Sequence, residues 1–380
     1  MGVACPARTV ELGAAPWHGP SVGAQEEDPR SASLGEMDYG TSAAETTPDD
    51  DSSRFAAASG HFTSIEVCAG AGGLALGLEQ AGFDPVLVIE NRPVACDTLR
   101  LNRPHWDVRA IDLLEFDPVD DQQVYGVDLL AAGLPRLRGT AAVARTPGPG
   151  DEFDLLKATV WLAHAVRPRA LLIDNVPDLV TSDAYAGIRA FMEGELAHLG
   201  YGLRWFVINA VDHGVPQDRK HGVLVAIEGK AAERFETPRG SGVRQSVGEA
   251  LRTSMRAQGW YEADDWAARA DRPAPTLVGG SWDRGGADLG PTGSKRAWAR
   301  LGVDGGTVGD EVPAHDFLWD PQAGRKGMVR LTVEQVARLQ GFPSDWTISG
   351  RKTARYRQIA NAMPPPLAYA LGRAIGVALR

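Results

Sequence analysis

The chain has 380 residues, 43% of them hydrophobic, three cysteines and a formal net charge of −10. That hydrophobic content is ample for a core, while no stretch approaches the roughly 18 uncharged apolar residues of a membrane span. Cys5, Cys68 and Cys96 are too few and too scattered for a cysteine metal site or a disulfide framework. The charge is uneven: residues 1–60 carry ten acids against three arginines, and the remainder is close to neutral. A near-neutral body neither announces nucleic-acid binding nor excludes a local basic cleft. Residues 1–60, rich in Ala, Ser, Thr, Pro, Gly and acids, cannot bury enough apolar surface to offset ordering entropy. They are expected to form a disordered acidic leader, and Met37 inside it offers a later start. Without a signal-peptide pattern a reduced, cytoplasmic compartment is expected. Only six of the 39 basic residues are lysines, a usage that suggests a bacterial source with a GC-rich genome.

From Phe62 the texture changes. FTSIEVCAGAGG reads as a strand entering a glycine loop, and LALGLEQAGF continues as an amphipathic helix. PVLVIE is a second strand ending in Glu90, PVACDTLRLNRP a helix, and VRAIDLLEF a third strand around Asp112. VDLLAAG is a fourth strand, and it turns on Gly133 and Pro135 to present Arg136. DLLKATVWLAHAVRP, ALLIDNV and AYAGIRAFMEGELAHLG give helix, fifth strand and helix, followed by the strands LRWFVINA and HGVLVAI. Strands alternating with helices of about 10–15 residues predict an α/β, doubly wound, mostly parallel sheet. Between residues 228 and 329 the rhythm stops, in a Gly- and Trp-rich stretch that reads as a second, smaller, irregular lobe. RLTVEQVARLQGF and PPPLAYALGRAIGVALR are helices again. The expected division is therefore 1–60, 61–227, 228–329 and 330–380, the last completing the sheet domain.

Three consecutive strand ends carry chemistry suited to a nucleoside cofactor. Glycines at the first strand–helix turn let a cofactor approach the backbone, and an acid on the second strand hydrogen-bonds ribose hydroxyls. Glu66-x-x-Ala-Gly70-x-Gly72-Gly73, Glu90 and Asp112 fit that pattern, which suits NAD, FAD or S-adenosylmethionine equally.

Later motifs discriminate. Gly-Leu-Pro at 133–135, Asp174-Asn175-Val176, Gln217-Asp218-Arg219, the stretch RLTVEQVARLQGFPSDW and QIANAMPPPLA arrive in a fixed order. Together they resemble the DNA cytosine-5 methyltransferases over about residues 62–380, with 228–329 matching least. The resemblance implies a Rossmann-like S-adenosylmethionine (SAM) methyltransferase fold with a target-recognition lobe. It also implies that Glu66, Gly70, Gly72, Gly73, Glu90, Asp112 and Asn361 hold SAM. Double-stranded DNA is the implied substrate, with the target cytosine flipped from the helix. Family chemistry uses a thiolate after the Pro of the fourth strand to attack ring carbon 6, because carbon 5 is not nucleophilic until that attack makes it enamine-like.

At the positions that should touch the base the sequence departs from the family pattern. Arg136 stands at the thiol position, Asp174 replaces the Glu of Glu-Asn-Val, and His221 replaces the second arginine of Gln-x-Arg-x-Arg, while Arg219 keeps the first. Arginine stays protonated and cannot be a nucleophile. Neither Cys68, in the glycine loop, nor Cys96, on a helix face, nor Thr140 offers a replacement at readable spacing. The expectation is a protein that binds SAM and DNA with C5 methylation impaired. Its rivals are a regulatory partner of a methyltransferase or restriction enzyme, and a methyltransferase acting on another atom or nucleic acid. Asp174 and His221 have plainer readings as loop and strand-edge polar groups. Trp260, Trp266, Trp282 and Trp298 are expected to pack the lobe, and Arg351, Lys352, Arg355 and Arg357 suit phosphates or a solvated turn equally.

Overall fold

A computed structural model of the chain describes residues 61–137, 153–279 and 286–380. The expected leader, with Cys5 and Met37, and also Thr140 and Trp282, lie outside the described residues. Strand β1 (Phe62–Val67) enters α1 (Gly73–Gln80), β2 (Phe83–Ile89) precedes α2 (Pro93–Asn102), and a short β3 (Val108–Arg109) follows. Next come β4 (Leu129–Gly133), α3 (Asp154–Val166), β5 (Ala170–Asn175), α4 (Pro177–Thr181) and α5 (Ala186–His198). Then β6 (Tyr201–Asn209), β7 (Gln217–Asp218) and β8 (Lys220–Glu228) complete the first half of the chain. The remainder holds α6 (Val247–Met255), α7 (Ala263–Arg269), β9 (Ala274–Pro275), α8 (Thr292–Arg300), α9 (Val333–Leu339), α10 (Lys352–Asn361) and α11 (Pro365–Leu379).

Seven strands form one sheet in the order β3-β2-β1-β4-β5-β8-β6. The neighbours from β3 to β5 are parallel, and β8 runs antiparallel to both β5 and β6. Alternate side chains feed opposite faces. Ile65, Val67, Leu130, Ala132, Leu171 and Ile173 pack with α3 and α5, whereas Phe62, Leu129, Ala131 and Leu172 pack with α1 and α11. Each such fully buried aliphatic contributes about 1.5–3 kcal/mol. Strand order reverses between β1 and β4, and at such a switch point the carboxyl ends of the strands open a crevice.

Two stretches differ from what the periodicity predicts. Asp112 lies beyond β3, which ends at Arg109: Arg109 turns aside to bind Asp107 and Asp121, and Asp112 caps a 3-10 turn by accepting the Leu114 N–H at 3.0 Å. Residues 228–329, expected to be irregular, carry α6, α7 and α8. These helices span only seven to nine residues: α7 and α8 each bury a single Trp, and α6 repeats Val247, Leu251 and Met255 over too short a run to fix a helix by itself. Local caps set α6 instead: the Ser246 side chain takes the Glu249 N–H while Glu249 takes the Ser246 N–H. Trp260, Trp266 and Trp298 are buried in a third core that α2, α9 and α10 share.

Candidate active site

A cavity of about 550 Å³ opens at the carboxyl ends of β1, β2, β4 and β5. At one end the glycine loop supplies its floor. Cys68 and Gly70 have φ of 54° and 56°, and Gly70 faces open space, so the backbone there lies bare to a ligand. Gly72 and Gly73 do not line the cavity. A Cβ on Gly72 would strike Leu99 and Trp346, and one on Gly73 would strike the Met363 carbonyl, so both glycines permit close packing of the loop. Trp346 fixes the loop from outside, its Nε1–H donating to the Ala71 carbonyl at 3.0 Å. No spacing in the sequence marks that role.

Glu90 ends β2 with both carboxylate oxygens engaged: Oε2 accepts the Gly70 N–H and Oε1 the Arg92 N–H, each at 2.8 Å. Asp112 joins it in the cavity wall, its Oδ2 accepting from Asn91 at 2.9 Å. Asn361, at the end of α10, lines the same space and lies over Gly279, where a side chain would collide with it. Glu66 stands apart. It points beneath α1, fully buried, outside the cavity lining and without a hydrogen-bond partner, and burial drives its pKa well above the usual carboxylate range, with Glu79 adding to the rise.

The opposite end is the tip after β4. Asn175 clamps it: its Oδ1 accepts the Leu137 N–H at 3.0 Å and the Val176 N–H at 2.8 Å, and its Nδ2 donates to the Pro135 carbonyl at 3.1 Å. The backbone on both sides of Arg136 is thereby fixed while its side chain enters the cavity. The triplet Asp174-Asn175-Val176 was visible in the sequence, but the clamp was not. Partial desolvation lowers the Arg136 pKa against the pull of Asp174, although the residue as a whole is exposed, and the guanidinium stays protonated.

Asp174 and His221 sit on β5 and β8, where Asp174 opposes Val223, so His221 is its diagonal neighbour. The His221 Nδ1–H donates to Asp174 Oδ1 at 2.7 Å. Both side chains are buried, and desolvation lowers the His221 pKa although Asp174 opposes the change. Gly222 between the strands is obligatory, because a Cβ there would meet the Val176 carbonyl. Arg219 is fully buried and donates from Nη1 to the Leu277 carbonyl at 2.9 Å. Gln217 ties down β7 just before it, donating to Gln340 at 2.7 Å and accepting the Leu277 N–H at 2.9 Å.

The remaining candidates resolve simply. Burial pushes the Cys68 thiol up to about 12, with Glu90 and Asp112 adding to the rise, so it carries no thiolate at neutral pH. Cys96 is core, its thiol donating to the Glu90 carbonyl. Lys352 pairs with Asp310 at 2.9 Å, Arg355 with Glu334 at 2.6 Å, and Arg357 is buried, which leaves Arg351 as the exposed member of that basic cluster. Among the described residues no group of three or more His, Cys, Asp or Glu could hold a metal, and no helix is long and apolar enough to cross a membrane.

Residues 62–377 match the family profile described as C-5 cytosine-specific DNA methylase. The chain is 44% identical to the type II methyltransferase M.NaeI of Lentzea aerocolonigenes, over 83% of the chain and 75% of that protein. It is 38% identical to the type II methyltransferase M.NgoMIV of Neisseria gonorrhoeae, over 84% and 98%. Among solved structures, the Entamoeba histolytica methyltransferase EhMeth superposes with a TM-score of 0.59 at 12% identity, over 84% of the chain and 99% of that structure. A DNMT2 of Spodoptera frugiperda superposes with a TM-score of 0.58 at 15% identity, over 83% and 100%. These two likenesses bear on fold alone, and they agree with a Rossmann-like methyltransferase sheet. The chain belongs to the C-5 cytosine-specific DNA methylase family, and S-adenosyl-L-methionine is its cofactor.

Proposed function

We propose that this family member binds SAM and double-stranded DNA without transferring a methyl group to carbon 5 of cytosine. One observation carries the reading: the place of the attacking thiol is held by the guanidinium of Arg136, on a backbone clamped by Asn175. Among the described residues no group at the tip can add to carbon 6 of the base. The other two altered residues support the same reading, since Asp174 Oδ1 accepts the His221 Nδ1–H at 2.7 Å.

The cofactor end supports retained SAM binding. Gly70 offers bare backbone, the fixed Glu90 carboxylate has lone pairs left for ribose hydroxyls, and Asp112 and Asn361 close the wall. Glu66, Gly72 and Gly73 act from behind, by shaping the loop and its packing. Bound SAM would supply an electrophilic methyl group at the tip, where this chain presents a cation. Residues 228–329 are the segment we assign to DNA recognition, with 61–227 and 330–380 forming the cofactor domain.

Incubation with tritiated SAM and mixed-sequence DNA tests the reading. Calorimetric SAM binding without label on cytosine supports it; robust label on carbon 5 refutes it. Arg136→Cys refines it: gain of transfer means that the nucleophile alone is missing, and continued silence means that Asp174 and His221 matter as well.

A further inference from the structure

The tip of the cavity holds more positive charge than its one carboxylate balances. Arg136 and Arg219 both line it, and the nearby acid, Asp174, already accepts the Nδ1–H of His221. Asp154, which also lines the cavity, faces Lys157 at 3.6 Å. Among the described residues Arg136 makes no hydrogen bond or ion pair, although its charge is near enough to depress the pKa of both Arg219 and His221. The Nε of Arg219 and the Nε2 of His221 have no partner, and these side chains are 1% and 2% exposed. Bulk water cannot serve atoms so deeply placed, and buried polar atoms in native proteins are normally paired.

The kind of partner follows from the proton on His221. A carboxylate only accepts, so the ring proton lies on Nδ1, facing Asp174. Burial keeps the ring neutral, with the two arginines opposing protonation, so Nε2 is a bare acceptor. The tip thus combines guanidinium donors with one acceptor. A neutral base would add no charge to balance the buried Arg219 guanidinium beside Arg136. Sulfate or a backbone phosphodiester would suit the guanidiniums but has no proton to give Nε2. Hydrogen phosphate, or a phosphate monoester that keeps one P–OH, carries both functions, and arginine forks match phosphate oxygens well.

We propose that the tip is a phosphate subsite, in which Arg136 and Arg219 hold the oxyanion of a free or terminal phosphate and His221 Nε2 accepts its P–OH proton. This rests on the reading of the tip as non-catalytic. It goes further by naming what occupies the place of the target base.

Titration calorimetry of the full chain with inorganic phosphate, sulfate, deoxycytidine and deoxycytidine 5′-monophosphate tests the subsite. Inorganic phosphate is expected to bind at least about 10-fold more tightly than sulfate, and Arg136→Gln to weaken it by about 10-fold or more. The phosphate-dependent rise in melting temperature provides a second readout, lost in His221→Phe if that variant folds and in Arg136→Gln in any case. Tighter binding of inorganic phosphate than of the nucleotide identifies a free ion, and the reverse order identifies an esterified terminal phosphate; either supports the subsite. Equal affinity for phosphate and sulfate overturns it, as does indifference to Arg136→Gln, or deoxycytidine binding as tightly as its monophosphate. Absent phosphate binding with absent methyl transfer sinks the subsite alone. Phosphate binding together with C5 transfer sinks the non-catalytic reading and leaves the subsite standing.

Discussion

The two ends of the cavity are made from the same parts, strand termini and tight turns of one parallel sheet, and they differ in charge and in how far their polar groups are satisfied. At the cofactor end the acids are fixed by backbone donors: Glu90 by Gly70 and Arg92, Asp112 by Leu114. At the tip Arg136 has no partner among the described residues, and the buried Arg219 and His221 each keep an unpaired nitrogen. A fixed polar group holds its direction for a ligand, whereas the unpaired nitrogens at the tip have bonding capacity left for one. One sheet thus presents fixed acids at one end of the cavity and two guanidiniums at the other.

The comparison breaks most sharply at Asp174. Asp174→Ala removes the carboxylate among Arg136, Arg219 and His221, and unfolding in denaturant should show a loss of about 3–5 kcal/mol, the scale for breaking a buried pair. Asn175→Ala comes next. It strips the Leu137 and Val176 N–H groups and the Pro135 carbonyl of their partner; an unmet buried group costs about 1–3 kcal/mol, and of these bonds only the one to Leu137 is fully buried. The same denaturation measurement should show a smaller fall than for Asp174→Ala, with SAM affinity retained. At the other end, Glu90→Ala should weaken SAM by about 10-fold, or 1.4 kcal/mol, in calorimetry while phosphate binding at the tip persists.

The smallest effect concerns Glu66, which burial keeps protonated. Its folded pKa is raised above the unfolded value of about 4.3, so its contribution to stability is complete below that pH and is lost as pH climbs toward the folded value. Glu66→Gln should therefore leave the melting temperature unchanged at pH 4 and raise it progressively above the parent toward pH 8. A parallel pair of melting curves across that range would show Glu66 to be ionised and partnered instead.

Much of the fold was legible because it rests on local signals. Alternating strands and helices predicted the doubly wound sheet, and the glycine loop marked its first turn. Asp112 was misplaced on a strand because its pairing with Leu114 and Asn91 is a turn interaction that apolar patterning does not encode. The helices within 228–329 escaped because they are short: α6 repeats its apolar spacing over two turns only, and α7 and α8 each bury a single Trp with no side-chain cap to mark them. At the site, the motif residues were visible in the sequence as positions, but two relationships needed the fold. The Asn175 clamp spans 38 and 40 residues of sequence, and the His221–Asp174 bond spans 47. No spacing rule links such residues; only the registers of β4 with β5 and of β5 with β8 bring them together.

The central claim is that this end of the cavity holds a cation where its family holds a nucleophile. The most direct test is the transfer of tritiated methyl groups from SAM to double-stranded DNA of mixed sequence, with calorimetric SAM binding measured on the same preparation. The account predicts saturable SAM binding and no label on carbon 5 of cytosine. Label on carbon 5 above a no-enzyme control, growing with time and protein concentration, would contradict it.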